Sequence, residues 1–349
     1  MGQDIKVFRR ALPLASRLAV TSIGLLIGTG FLSRTRAQAA DLPPADPRSI
    51  ITLQDENASI STASLTDRYY VNGLRLGYTS PTDITPGWMQ RLGHAIWGAG
   101  RQRFAIDIAQ SMFTPGDTSV APPAPYDRPY AGLLQATATL IQDSRTTRDI
   151  LSFSLGVMGP GSGAGDLQDG FHNVIGQGHD AGWHDQLPNQ AVGEVMAQRT
   201  WRLPLARLAG MQVDVLPAAT IAAGNVRSYG QASALFRIGQ GLESDFGVAR
   251  IQPGITGADA YMPSRPLVWY VFGGGDGQMV ANDITLDPGG APYLSHVSMI
   301  NEVGEVELGA ALIWHGVRIS YTQVFQAREF HGQTGGMHQF GSLVAGVRF

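Results

Sequence analysis

Apolar and polar residues alternate along most of this chain, most plainly at its end. Leu343, Ala345, Val347 and Phe349 fall on one side of an extended segment, and Ser342, Val344, Gly346 and Arg348 on the other. Upstream, Val317, Ile319, Tyr321 and Phe325 oppose Arg318, Ser320, Thr322 and Gln326; Phe104, Ile106 and Ile108 oppose Ala105, Asp107 and Ala109. Successive strand side chains point to opposite faces, so this period of two predicts strands with one greasy and one small or polar face. Twelve are predicted, over 49–57, 69–79, 103–113, 130–142, 147–158, 191–202, 211–223, 226–239, 266–283, 296–312, 315–327 and 339–349. The connections 80–102 and 240–265 are long for turns. In the first, Trp88, Met89, Leu92, Ile96 and Trp97 are spaced as a short amphipathic helix that plugs or braces the sheet.

The connection 159–190 breaks the alternation. It opens with Gly, Pro and Ser, then turns helical over Asp166–Ile175, where Leu167, Phe171, Val174 and Ile175 form one apolar stripe. Asp166 is the expected N-cap, Asp169 belongs to the first turn, and Gly176 stops the helix. Gln168 and His172, four residues apart, lie together at the edge of that stripe. A helix ordered inside a long loop is a place where function gathers.

Twelve is an even number, as a closed bacterial barrel requires, and a barrel also accounts for the polar inner face and the final Phe349. The expected fold is all-β: a closed antiparallel transmembrane barrel with a short helix in an extracellular loop. A soluble sandwich gives similar alternation, but residues 1–40 favour export. Lys6, Arg9, Arg10 and Arg17 precede an apolar core from Leu18 to Leu32, and Ala37-Gln38-Ala39 is a cleavage site. This leaves 41–349 as one barrel domain. The core is shorter than the roughly 20 residues of a comfortable membrane helix. A net charge of −3 gives no reason to expect nucleic acid, and the absence of cysteine removes disulfide and thiol chemistry.

With both termini in the periplasm, residues 58–68, 114–129 and 159–190 face outward at the level of the outer leaflet. Asp55, Glu56 and Asn57 end the first strand, Thr66, Asp67 and Arg68 begin the way back, and Asp127, Arg128 and Pro129 precede the fourth. The segments ENASISTASLTDRYYVNGLRLGYTSP (56–81), YDRPYAGLL (126–134) and GVMGPGSGAGDLQDGFHNVIG with GWHDQLPN (156–189) together resemble the outer-membrane lipid A 3-O-deacylase family, the LpxR type.

The resemblance covers most of the mature chain. It implies a twelve-stranded barrel with its active site between the wall and the outer loops, removal of the 3′-linked acyloxyacyl chain of lipid A, and dependence on calcium. It makes His172 the general base, Gln168 its neighbour, and Asn57 a holder of the ester oxygen or a cation. Asp67, Arg68, Asp127 and Arg128 match recurrent polar positions and are candidates for substrate binding, the arginines through lipid A phosphates; internal pairing with Asp67 or Asp127 is the alternative. Lipopolysaccharide is then the substrate, the outer membrane the site of action, and the barrel-assembly machinery the means of insertion of a monomer. The sequence departs from the family pattern where Ala58 replaces an aspartate, where Val71 replaces a common threonine, and where Thr118, Ser119 and Val120 offer no basic residue. Asp55, on the same strand face as Asn57, is the remaining carboxylate for calcium. Ser162 lacks the G-x-S-x-G elbow of a serine hydrolase, G-x-x-x-x-G-K-[ST] is absent, and His172, His179 and His184 fit no H-E-x-x-H metal pattern. The rivals are a degenerate barrel serving as a pore or surface-binding protein, and an outer-membrane phospholipase.

Overall fold

The computed structural model describes residues 42–61, 68–175, 181–252, 258–286 and 297–349, without the side chains of residues 171, 172, 174, 175 and 181. The export segment 1–40, Asp67, Gly176 and His179 lie outside the described residues. Thirteen strand segments alternate in direction: β1 (Ile50–Asn57), β2 (Tyr69–Thr79), β3 (Arg101–Thr114), β4 (Ala131–Asp143), β5 (Thr147–Met158), β6 (Gln190–Trp201), β7 (Leu203–Leu208), β8 (Met211–Gly224), β9 (Arg227–Gln240), β10 (Leu267–Asp283), β11 (Glu302–Trp314), β12 (Val317–Gln326) and β13 (His338–Arg348). β6 and β7 are halves of one wall strand interrupted at Arg202, and β8 pairs with both. β1 pairs with β13 from Ile50 opposite Arg348 to Asn57 opposite Gly341, so a twelve-stranded antiparallel barrel closes on itself. Closure removes the sheet edges that membrane hydrocarbon cannot hydrate. No helix among the described residues is long and apolar enough to cross a membrane; any crossing is by strands.

The alternation resolves into two faces. Ile51, Leu53, Leu76, Ile106, Ile108 and Phe153 stand exposed on the outside, whereas Gln54, Glu56 and Ser152 are buried within. The lumen is filled. The 241–265 connection, read from the sequence only as a long segment, folds back into the barrel from the end that carries the termini. Arg250, on that plug, lies between Glu305 (2.8 Å) and Glu307 (3.4 Å). Gln54 Nε2 donates to the Ala249 carbonyl, and the Ile251 amide donates to Glu56. At the opposite end residues 115–130, 284–286, 297–301 and 327–337 cover the mouth, where Arg128 pairs with Glu329 at 3.2 Å. A partly open cavity of about 180 Å³ remains in the lumen, lined by Arg75, Glu194, Arg227 and Arg250 among others.

Two helices join the wall. The first, α1 (Gly87–Trp97), follows β2 at the terminus end, and the second, α2 (Ala164–Ile175), follows β5 at the opposite end. α1 braces the barrel and does not plug it: Gly93 packs on Gln102 and Gln142, which share the outward face of Ile106 and Ala138. A Cβ at Gly93 would stand 2.5 Å from Gln102 Nε2, so only glycine allows this approach. α2 starts two residues before the predicted boundary. A 3₁₀ turn over Pro160–Ser162 ends at Gly163 in the left-handed region (φ 68°), and the Ser162 hydroxyl accepts from the Ala164 amide. Asp166 therefore lies in the first turn instead of capping it. Leu167 is 43 % exposed, so the expected apolar stripe does not turn wholly toward protein; Ala164 and Gln168 are buried instead. Around a membrane barrel the surroundings are themselves apolar, and a leucine gains little by turning inward.

Candidate active site on the outer wall

At the end away from the termini, the outward face changes character. β1 carries Ile51 and Leu53 and then Asp55 and Asn57 on the same face; β2 carries Asn72, directly opposite Asn57. Asn72 Nδ2 donates to Asp55 Oδ1 at 3.1 Å. Asn57 Oδ1 accepts from the Ser59 amide (2.7 Å) and hydroxyl, capping the 3₁₀ turn over Ala58–Ile60. A carboxylate and two amides thus interrupt a face that is otherwise apolar. On β3 the same face runs Phe104, Ile106, Ile108 and then Gln110, whose Nε2 donates to the Ser162 carbonyl at 2.6 Å and fastens the start of the helical loop to the wall.

α2 lies against this outer surface. At Gly132 of β4 a Cβ would come within 2.2 Å of Ser162 Oγ and 2.4 Å of the Ala164 Cβ, so glycine lets the loop sit directly on the strand. Val71, Met112, Tyr130, Ala164 and Trp183 form one buried apolar cluster beneath the helix. Val71 occupies an irregularity in the pairing of β2 with β3, between Tyr70 and Asn72. That extra residue lets Tyr70 point inward to Glu56 while Asn72 points outward.

Gln168 is buried, and its Oε1 accepts from Trp183 Nε1 at 2.9 Å, which fixes the helix against the returning 181–185 turn. His172 belongs to the same helix one turn on; its side chain lies outside the described residues. Asp55 and Asn57 belong to the outward cluster. Asn72 and Gln110 belong there too and were missed by sequence reasoning, although each is a polar residue interrupting a greasy face and could have been found that way.

The remaining candidates brace loops. Arg128 was expected to meet lipid A phosphate, yet its side chain is wholly buried. It pairs with Glu329, donates to Thr285 Oγ1 at 2.9 Å and lies 4.6 Å over the Phe113 ring. Of the two roles weighed from the sequence, internal pairing is the one seen in this structure, with Glu329 as the partner in place of Asp67 or Asp127. Asp127 accepts from the Gly116 and Arg128 amides, both at 2.8 Å. Arg68 lies 5.5 Å over the Tyr69 ring and close to Gly335. Ser162 is buried and donates to the Gly159 carbonyl, a fold-holding role.

Calcium takes roughly six to eight oxygen ligands. Among the described residues of the outward cluster Asp55 is the one carboxylate, one of its oxygens already serves Asn72, and the Asn57 side-chain oxygen serves Ser59. Ala58, where the family carries aspartate, is buried in an apolar cluster with Tyr70 and Phe340. No group of three or more acidic or histidine side chains converges among the described residues. The described side chains alone are too few to complete a calcium site.

The family model described as "Outer membrane protein LpxR" matches residues 25–349. Among solved structures, LpxR from Salmonella typhimurium superposes with a TM-score of 0.67 at 20 % identity, covering 86 % of this chain and 100 % of that one. The beta domain of the Bordetella autotransporter BrkA matches at a TM-score of 0.41 and 8 % identity, covering 88 % and 99 % of the two chains. No curated protein matches the sequence. With the family model spanning almost the whole barrel, the chain belongs to the LpxR family of outer membrane proteins.

Proposed function

We propose that this protein is an outer-membrane esterase that removes the 3′-linked acyloxyacyl chain from lipid A, with His172 as general base and the α2 end of the barrel facing the outer leaflet. The observation that carries the reading is the outward cluster of Asp55, Asn57 and Asn72 beside α2. Polar groups on the hydrocarbon-facing side of a barrel are costly and are retained where they act. Substrate in the leaflet reaches this cluster from the side, without entering the lumen.

Ester hydrolysis needs a base, a place for the oxyanion and a hold on the acyl chain. An imidazole with an ordinary pKa near 6.5 can take a proton from water at working pH. That water attacks the ester carbonyl. The carbonyl carbon–oxygen bond to the sugar breaks, and the proton held by His172 passes to the departing sugar oxygen, leaving a free fatty acid and a hydroxyl. The Asn57 oxygen is committed to its turn, so its NH₂ is the part that meets the oxyanion. Gln168, fixed by Trp183, holds the helix that carries the base. No step is routed through calcium, for which the described side chains alone are too few.

Purified protein in detergent micelles, incubated with lipid A and followed by mass spectrometry, tests this. His172→Ala is expected to slow loss of the acyloxyacyl chain by about 10²–10⁴-fold, whereas a chelator leaves the wild-type rate within a factor of about two. Full activity in His172→Ala removes the base. Parallel incubation with glycerophospholipids identifies a phospholipase if those alone lose fatty acid.

A further inference from the structure

The outer wall beside this cluster carries a furrow. Ladder register places Ile108, Ala136 and Leu155 side by side in one row and Ile106, Ala138 and Phe153 in the next. The ridges are large and about half exposed, Ile106 at 53 % and Leu155 at 55 %, while the β4 floor is alanine. The result is an apolar trough of about 670 Å³ on the outer wall, floored by Ala136 and Ala138 of β4 and reaching sideways over Ile106 and Ile108 to Leu76 and Tyr78 of β2. Both ends are closed by helical segments on the same outward row. At the upper end Gly132 is covered by Ser162 and Ala164 at the start of α2. At the lower end Leu140 is only 2 % exposed, and Gln142 lies under Gly93 and Gly100, on either side of the α1 C-terminus.

We infer that this trough holds the fatty-acyl chain of the lipid substrate and measures its length, with the ester at the α2 end and the chain tip toward α1. The inference rests on the proposed esterase reading and deepens it. Bulk membrane lipid needs no trough, but a chain that must be held in register with a base does, because orientation of the scissile bond carries much of the catalytic gain. Continuity with the polar cluster identifies the occupant: the trough starts one strand from Gln110 and two from Asn72. Leu134 and Leu140 bound the alanine floor on the same outward row, and the strand between them spans about 20 Å at its usual rise per residue, enough to seat an extended fatty-acyl chain before α1 blocks it. Methylene groups laid between the ridges gain dispersion contacts that disordered lipid does not supply.

Ala138→Trp fills the trough from a position facing hydrocarbon, so the core is untouched. Val271→Trp adds the same ring to an equally exposed outward position across the barrel. With full-length protein in lipid nanodiscs, Ala138→Trp is expected to lower kcat/KM for release of long acyl chains from lipid A at least tenfold and to leave hydrolysis of p-nitrophenyl acetate unchanged. Val271→Trp should alter neither. Equal long-chain rates in the two variants overturn the assignment. If the wild type cleaves neither ester, the esterase reading fails by itself, and the trough is read by photo-crosslinking with lipid A bearing a diazirine near its acyl ends. Labelling concentrated on 132–140, and lost in Ala138→Trp, supports the trough; labelling spread evenly around the barrel overturns it.

Discussion

A buried arginine and an exposed one look alike in a sequence, and Arg128 shows what that conceals. Its place beneath the loop cover means that its charge is balanced by Glu329 and not by a phosphate. Burial pushes the Glu329 carboxyl upward and the Arg128 guanidinium opposes that push. Removing one partner of a buried pair costs about 3–5 kcal/mol when the other is left alone, and here Arg227, 4.0 Å from Glu329, keeps the cost toward the lower end. Arg128→Gln is therefore expected to lower the denaturant midpoint of the folded barrel while leaving the KM for lipid A within a factor of about two. A Glu329 pKa raised above its unfolded value favours the folded state at low pH, and that advantage fades as pH rises through the folded value. The loss in Arg128→Gln should accordingly be smaller in acid, where a protonated Glu329 needs no cation. Unchanged stability with a large rise in KM would restore the substrate-binding role.

At the scale of elements, β2 and β5 have the bounds expected from alternation, because Gly, Pro and turn residues punctuate them cleanly. The β7 extension was hidden by Arg202 and Pro204, which interrupt the pattern without ending the strand. The plug was hidden for another reason: lumen segments are bound through polar side chains and backbone, so they carry no periodic signature. The outward cluster was half legible. Asp55 and Asn57 were seen, but Gln110 and Asn72 needed the ladder register before they could join them. α1 was legible as a helix but not in its setting. It packs by Gly93 on the outer wall, and Trp88 is 62 % exposed, with Leu92 and Ile96 following at four-residue spacing. An indole at the edge of a barrel's apolar belt belongs in the headgroup region. Trp88→Phe should remove a fluorescence component that is quenched by phospholipids brominated high on their chains and poorly quenched by aqueous iodide. Equal accessibility to iodide in nanodiscs and in detergent would place α1 in water.

For the whole molecule, the decisive contrast is between a filled inside and a sculpted outside. Twelve strands enclose enough width for a channel, and the sequence alone left a pore open as a function. Charge pairing within the barrel closes that route: Arg250 joins the plug to Glu305 and Glu307, and Arg318 reaches Asp259 at 3.1 Å. Plug and wall thus exchange charges of both signs, Arg250 of the plug with wall glutamates and Asp259 of the plug with wall Arg318, so withdrawing the segment would strand several buried charges at once, a penalty far larger than thermal motion provides. On the proposed reading the barrel is a rigid post, and the outer wall that carries the candidate site moves as one body with it. In planar bilayers the full-length protein is expected to give no steady ohmic conductance. Replacing Gly247–Ala260 with a short Gly-Ser linker should open a persistent one, because Glu56, Glu305 and Glu307 then face water. The same variant should keep its outer cluster, since Asp55, Asn57, Asn72 and Gln110 make no contact with the plug through their outward side chains. Conductance in the wild type would mean that the plug leaves its seat, and would return the pore to contention.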